Sequence, residues 1–473
     1  MAFGLQPSLL ALAEKKLVIL VRNFPVLFSF WLALSSGLAA HGGAYTGPGE
    51  PVPPASGGIA ATGPLPPPSP PQPEVIASLS DYGEQAESRR RALAQMAALG
   101  ESLSLAQLRK VRDVLRQQDL VDYTRCLTLC GPEALDDLQL QFRRSHPLVK
   151  AEAVYGLVTL DQKGGEKFAR EVLRNPKLPP SCHAAALRAL SDRGSLLAKA
   201  EALRQLQVGD KAPLFEALSL VAESAGQEHI LHLIGLMERS SGRAGKEAHA
   251  LLQSITGWRM GLDPMLWKQQ WRRHQARGEE FTQKETAAQD PEQVTLSYMG
   301  VPIYGDHLVF LLDLSGSMTG ALASSQRLRG EAALKELEWV LRNLPKGASF
   351  DVVAFNQQAA SFAGKKLRPC NEANIQEVMG WIRQRNFQGG TDLFHILQQV
   401  FHKPGVEEVL LLTDGVPSSG LIQEPARLLA FVRHWNRWRN IRFNTVSMAA
   451  PGDAGQFLQQ LAQEHQGLCK VIQ

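Results

Sequence analysis

The sequence predicts two structured parts, an all-α helical solenoid followed by a doubly wound α/β domain. Three observations predict it. From about residue 78 to residue 274, apolar residues recur at helical spacing, and Pro147, Pro180 and Pro213 open successive helices at a constant interval. From residue 304 onward, apolar runs alternate with amphipathic stretches, the pattern of a mostly parallel sheet with helices on both faces. Two of those runs, Leu308-Val309-Phe310-Leu311-Leu312 and Val409-Leu410-Leu411-Leu412, end near an Asp followed by Gly. Runs of this kind read as buried parallel strands.

The elements follow in order. Lys15, Lys16 and Arg22 precede an apolar stretch at residues 24–34, and small residues follow to Ala40. Basic, apolar, then small is the secretory pattern, so residues 1–40 are expected to be a signal peptide. An uncleaved membrane anchor over residues 17–40 is the alternative, although the apolar stretch is short for a spanning helix. Residues 41–75 are rich in Gly and Pro and include Pro64-Leu65-Pro66-Pro67-Pro68. They have little to bury and read as a polyproline-like linker. Residues 76–276 form the helical part. The segments opened by Pro147, Pro180 and Pro213, with a fourth from Lys246, resemble degenerate HEAT-type repeats. A non-repetitive helical bundle is the alternative. Asp263 and Pro264 start a helix carrying Trp267 and Trp271 at i,i+4, which is expected to cap the stack. Residues 277–303 read as a charged linker.

Residues 304–473 form the α/β domain. A helix is expected over 325–344, with Ala333, Leu337, Val340, Leu341 and Leu344 on one face. A strand follows at 349–355, then helices near 375–384 and 393–401, a helix opened by Glu424-Pro425, a strand at 441–446, and a last helix at 457–464. The stretch Arg433-His434-Trp435-Asn436-Arg437-Trp438-Arg439 mixes basic and aromatic residues as single-strand binders do. Leu428, Val432 and Trp435 continue one helical stripe, so a covering helix with a solvated basic face is expected instead. His229 and His232 have no evident third ligand and read as core or surface histidines.

Composition excludes little. The chain has 473 residues, is 44% hydrophobic and 20% charged, and carries a formal net charge of +4. That balance demands neither nucleic acid nor membrane nor an acidic substrate. Five cysteines, Cys126, Cys130, Cys182, Cys370 and Cys469, make no disulfide framework and no CxxC. A bridge between Cys126 and Cys130 would be awkward, and small buried side chains are the expectation.

The chemistry lies in three short motifs. They are Asp313-Leu314-Ser315-Gly316-Ser317, Gly389-Gly390-Thr391-Asp392 and Thr413-Asp414-Gly415. Ligands of open α/β sheets bind at the carboxyl ends of strands, so these motifs can meet in one crevice. Among them, the carboxylates of Asp313 and Asp414 and the hydroxyls of Ser315, Ser317 and Thr391 can converge, with neither sulfur nor imidazole. Hard oxygen donors suit Mg²⁺, Mn²⁺ or Ca²⁺.

In type, order and position the motifs resemble the metal-ion-dependent adhesion site of von Willebrand factor type A domains. The resemblance covers the stretch from about Tyr304 to the C-terminus. It implies a metal site of Asp313, Ser315, Ser317, Thr391 and Asp414. Ser315 and Ser317 would bind the ion through their hydroxyls, and Thr391 directly or through water. Asp313 and Asp414 would hold coordinated waters and anchor the loops, with Asp313 at a strand end facing solvent. It further implies a protein partner whose Asp or Glu carboxylate completes the site. No catalytic residue is expected, since no Walker A loop, HExxH, GxSxG or Ser/His/Asp set is present. The expectation is a metal-dependent protein-binding protein of a bacterial envelope, exported or membrane-tethered, without nucleic acid. Its alternatives are an accessory subunit of an ATPase or metal-insertion machine and, behind that, a metal-dependent hydrolase.

Overall fold

The computed structural model describes Pro68 and residues 86–472, apart from 102–103, 113–114, 209–210, 225, 241, 279–295, 323–327, 416 and 449–452. The expected signal or anchor, the first expected linker apart from Pro68, and residues 279–295 of the second lie outside the described residues.

The N-terminal part is helical. Its helices are α1 (Ala86–Leu99), α2 (Leu105–Val111), α3 (Leu120–Cys130), α4 (Leu135–Phe142), α5 (Pro147–Leu160), α6 (Gly165–Arg174), α7 (Pro180–Asp192), α8 (Leu197–Val208), α9 (Lys211–Glu223), α10 (Ile230–Arg239), α11 (Arg243–Thr256) and α12 (Pro264–Arg277). Pro147 and Pro180 stand at first helical positions, where a missing N–H costs nothing. Alternate helices stack: α3, α5, α7, α9 and α11 form one layer, and α8, α10 and α12 run behind it. The repeating starts read from the sequence all fall in the first layer. Small residues let these helices approach, with Ala151, Ala185, Ala186, Ala189 and Ala217 fully buried between them. The far end closes as expected. Asp263 caps α12 by accepting the Met265 N–H, and Trp267 is buried with its indole N–H on the Gly261 carbonyl. His229 is a core histidine that accepts the Gly226 N–H. Cys126 and Cys130 are not joined.

The C-terminal part begins earlier than expected. A hairpin of β1 (Ser297–Tyr298) and β2 (Val301–Pro302) precedes β3 (His307–Asp313). Tyr298 and Val301 are buried in the core of the α/β domain, so the end of the expected linker belongs to that domain. Next come α13 (Arg329–Asn343), β4 (Ser349–Phe355), β5 (Ala359–Ser361), β6 (Arg368–Pro369), α14 (Glu372–Arg383), α15 (Leu393–His402), β7 (Glu408–Thr413), α16 (Pro425–Asn436), β8 (Arg442–Met448), α17 (Asp453–Glu464) and β9 (Cys469–Ile472). Helix α13 starts at Arg329 rather than 325, because Leu328 is extended and bridges back to Ala321.

The sheet runs β5-β4-β3-β7-β8-β9, with β6 also on β4. Strands β3, β4, β7, β8 and β9 are parallel, and β5 and β6 are antiparallel additions. Successive residues of β3 point to opposite faces. Leu308, Phe310 and Leu312 pack with α13 and α14, whereas Val309 and Leu311 pack with α15, α16 and α17. The chain leaves β3 toward β4 on one side and returns to β7 on the other. The topological switch therefore lies between β3 and β7.

The stretch from Arg433 to Arg439 departs from its expectation. Its apolar stripe covers the sheet, with Leu428 and Val432 fully buried. Arg433 of its basic face is exposed as expected, beside Glu464, but His434, Arg437 and Trp438 dock on the helical array. His434 donates from Nε2 to Asp122 at 2.7 Å. Trp438 is buried within the array's own core, 5.4 Å from Tyr155, and the Arg437 guanidinium lies 4.0 Å over the Tyr155 ring. The rest of this junction is the amino edge of the sheet. Arg243, on α11, donates to the carbonyls of Glu407 and Asn440, both at 2.7 Å, and Lys246 reaches those of Ile303 and Tyr304. The array thus covers the strand starts and leaves the strand ends on the opposite side.

Candidate metal centre

Strands β3 and β7 are adjacent and parallel, with Leu312 level with Leu412. Asp313 and Asp414 consequently leave the same edge of the sheet, at the topological switch. Thr413 lies between strand and motif, and its hydroxyl donates to Asp313 Oδ2. The Ser315 N–H donates to Asp313 Oδ1 at 2.8 Å. Asp313 is therefore a brace between the two loops, and it is 1% exposed. This corrects the solvent-facing strand end expected for it: the Ser315–Ser317 turn and Thr413 fold over the carboxylate. Burial pushes its pKa up to about 6; hydrogen bonds from Thr413 and Ser315 oppose the rise, and neighbouring Asp414 adds to it.

Ser315 and Ser317 sit at the start of a short turn of 3-10 helix, Gly316–Thr319. Their hydroxyl oxygens are 3.0 Å apart, and the Ser317 hydroxyl donates to Asp414 Oδ1 at 2.7 Å. A hydroxyl that gives its proton to a carboxylate turns its lone pairs outward, as a metal ligand must. Adjacent ligands of an octahedral ion with bonds of about 2.1 Å stand about 3.0 Å apart, so the pair fits one edge of a Mg²⁺-sized octahedron.

The Thr391 loop lies against this turn. The Gly316 N–H donates to the Gly389 carbonyl at 3.2 Å, and the Gln388 N–H to the Leu314 carbonyl at 2.8 Å. Thr391 is buried; its N–H donates to Ser418 Oγ at 2.9 Å and its carbonyl accepts the Ser418 and Ser419 N–H groups. The three loops that carry the five expected residues are thus joined at one edge of the sheet, the Thr391 loop by backbone contacts and the β3 and β7 loops through Asp313 and Ser317. For Asp313, Ser315, Ser317 and Asp414 the side chains are also linked to one another, directly or through Thr413.

Two participants escape sequence reasoning. Thr413 is one; a polar residue closing an apolar strand beside Asp414 is the signal that could have found it. Arg329 is the other. From the first turn of α13 its Nη1 donates to Asp414 Oδ2 at 2.7 Å. No spacing rule links a helix start to a carboxylate 85 residues later.

Known proteins resemble the α/β part of the chain. The family model described as von Willebrand factor type A domain matches residues 306–471. The human von Willebrand factor A domain-containing protein 3B is 26% identical over 161 residues, which are 34% of this chain and 11% of that protein. The chain thus matches about a tenth of that relative's length. Among solved structures, a von Willebrand factor type A protein from Catenulispora acidiphila is 21% identical, covering 35% of this chain and 38% of that one, with a TM-score of 0.29. An aerotolerance-related membrane protein from Bacteroides fragilis is 14% identical, covering 35% and 91%, with a TM-score of 0.27. On the family model, residues 306–471 of this chain thus match the von Willebrand factor type A domain.

Proposed function

We propose that the domain is a metal-dependent protein-binding module. In this reading Ser315, Ser317 and Thr391 hold a divalent cation, Mg²⁺ or Mn²⁺ before Ca²⁺, with Asp313 and Asp414 in direct or water-mediated contact. Such an ion would supply an open position for an anionic oxygen, here an Asp or Glu carboxylate of a partner protein. The observation that carries the reading is the linked set of Ser315, Ser317 and Asp414 at the switch between β3 and β7. The chain's residues do the positioning. Thr413 and Asp313 lock the β3 and β7 loops together, Asp414 orients the Ser317 hydroxyl, and Ser418 fixes the Thr391 loop. Both carboxylates are tied up by protein donors, which supports binding rather than general-base catalysis. A place outside the cytoplasm rests on the basic-apolar-small pattern of residues 15–40. Among the described residues, no helix is long and apolar enough to cross a membrane.

The test is a set of thermal and urea melts with Mg²⁺, Mn²⁺ or EDTA, together with calorimetric titration. The wild-type protein gains about 2.7 kcal/mol at a cation concentration a hundredfold above Kd. Ser317→Ala and Asp414→Ala lose that gain. Pull-down from an envelope extract then recovers a partner with Mg²⁺ and releases it with EDTA. A wild-type protein with neither thermal response nor calorimetric binding overturns the reading.

A further inference from the structure

We propose that Arg329 is a resident counter-cation of Asp414, which competes with the divalent cation and sets how tightly it binds. The proposal rests on the metal-binding reading above. Asp414 has two carboxylate oxygens, and both are engaged from within the protein. Oδ1 takes the Ser317 hydroxyl and Oδ2 takes Arg329 Nη1, each at 2.7 Å. The Asp414 side chain is 1% exposed and that of Arg329 21% exposed, so the pair sits where water screens it poorly.

The placement of the guanidinium is built into the backbone. The Arg329 N–H donates to the Gly320 carbonyl at 2.9 Å, and Ala321 bridges Leu328. The chain from the Ser315–Ser317 turn therefore returns to the site it left. Gly320 gives the guanidinium room, since a Cβ at that position would stand 3.3 Å from Arg329 Cζ.

The charge count gives the consequence. Asp313 and Asp414 bring two negative charges to the crevice, and Arg329 brings one positive. Without the arginine, two buried neighbouring carboxylates would repel each other. With it, an incoming divalent cation meets a site of reduced charge and must displace or repel a fixed guanidinium. The exchange is feasible because the arginine is not fully satisfied where it sits: its Nε–H is buried and has no acceptor among the described residues. Arg329 therefore stabilises the cation-free domain and weakens the cation-bound one.

The experiment is calorimetric titration of Mg²⁺ and Mn²⁺ into the full chain, for wild type, Arg329→Gln, Arg329→Ala and Arg329→Lys, with melts of each in EDTA. The glutamine variant guards against loss of folding, because it keeps most of the aliphatic stem and a polar end while it removes the charge. Removing one nearby positive charge at partial burial predicts cation binding about tenfold tighter or more in Arg329→Gln and Arg329→Ala. Arg329→Lys stays near wild type, and both neutral variants melt lower than wild type in EDTA. Folded neutral variants that bind the cation as weakly as wild type, or more weakly, overturn the proposal while the metal-binding reading stands. If no protein binds either cation, the metal-binding reading fails and this proposal fails with it.

Discussion

Asp313 shows how far a motif can be read and where the reading stops. Asp, Ser and Ser at alternate positions after an apolar strand place two hydroxyls and a carboxylate at a sheet edge, and the sheet obliges. The depth of burial is not in the motif, because it depends on Thr413 and on how the turn folds back. That depth has a measurable consequence. The unfolded chain ionises Asp313 near 3.8, whereas burial lifts the folded group to about 6. The folded cation-free protein thus holds the proton to higher pH. Its stability falls as pH rises through that window, by on the order of 2–3 kcal/mol from this group. Asp313→Asn keeps an acceptor for the Ser315 N–H and carries no charge. In EDTA, urea melts from pH 4 to 7 should show this slope in wild type minus variant, and the variant should match or exceed wild-type stability at pH 7. It should also lose its response to Mg²⁺. A difference that stays flat across the window would mean that the carboxylate is better solvated than the structure indicates. Asp313→Ala is the harsher change, because it leaves the Ser315 N–H and the Thr413 hydroxyl without their acceptor, at about 1–3 kcal/mol.

Among the elements, the long ones were legible and the short ones were not. Strand β4 falls where its apolar run predicts it, and the helices differ by a few residues at their ends. Strands β1, β2, β5, β6 and β9 have four residues or fewer, too few to display a period, and they owe their existence to neighbours. The start of α13 lies past the expected residue 325 because Leu328 is extended and bridges back to Ala321. The first turn of α13 also bears on the site. Gly330 is buried, and a Cβ there would stand 2.2 Å from the Phe387 ring, four residues before Thr391. Gly330→Ala is expected to cost about 1–3 kcal/mol by overpacking, and to push the Thr391 loop outward. Urea denaturation gives the first number and a Mg²⁺ titration shows weakened binding. A wild-type melt would mean that the ring swings aside freely.

For the whole molecule, the sequence named two parts but not how they meet. Each element shows one apolar stripe, and a periodic stripe points to its own core rather than to another domain. Beside Ala94 and Ala98, which pack against the α/β core, the residues that join the parts are polar or aromatic: Arg243, Lys246, His434, Arg437 and Trp438. The same Arg-Trp stretch that imitates a nucleic-acid surface is the plug of this junction. Arg243 is its centre, 3% exposed, stacked 3.9 Å over Phe215 and paired with Glu247 at 2.7 Å while it donates to Glu407 and Asn440. Arg243→Met retains the stem but removes the charge. Among the described residues it leaves Glu247 with only Arg442 at 3.6 Å and the Asn440 carbonyl without its donor, while the Glu407 carbonyl keeps the Arg442 N–H. Breaking such a buried pair costs about 3–5 kcal/mol. The loss falls on the junction, because neither core loses an apolar contact of its own. Calorimetric unfolding should therefore change from one transition into two, with the helical part and the von Willebrand factor type A domain melting apart. The metal centre lies at the opposite edge of the sheet, so the Mg²⁺ affinity of Arg243→Met should stay within about twofold of wild type, as expected for distant sites that share no partners. A large drop in that affinity would show instead that the helical array acts on the metal centre through the sheet.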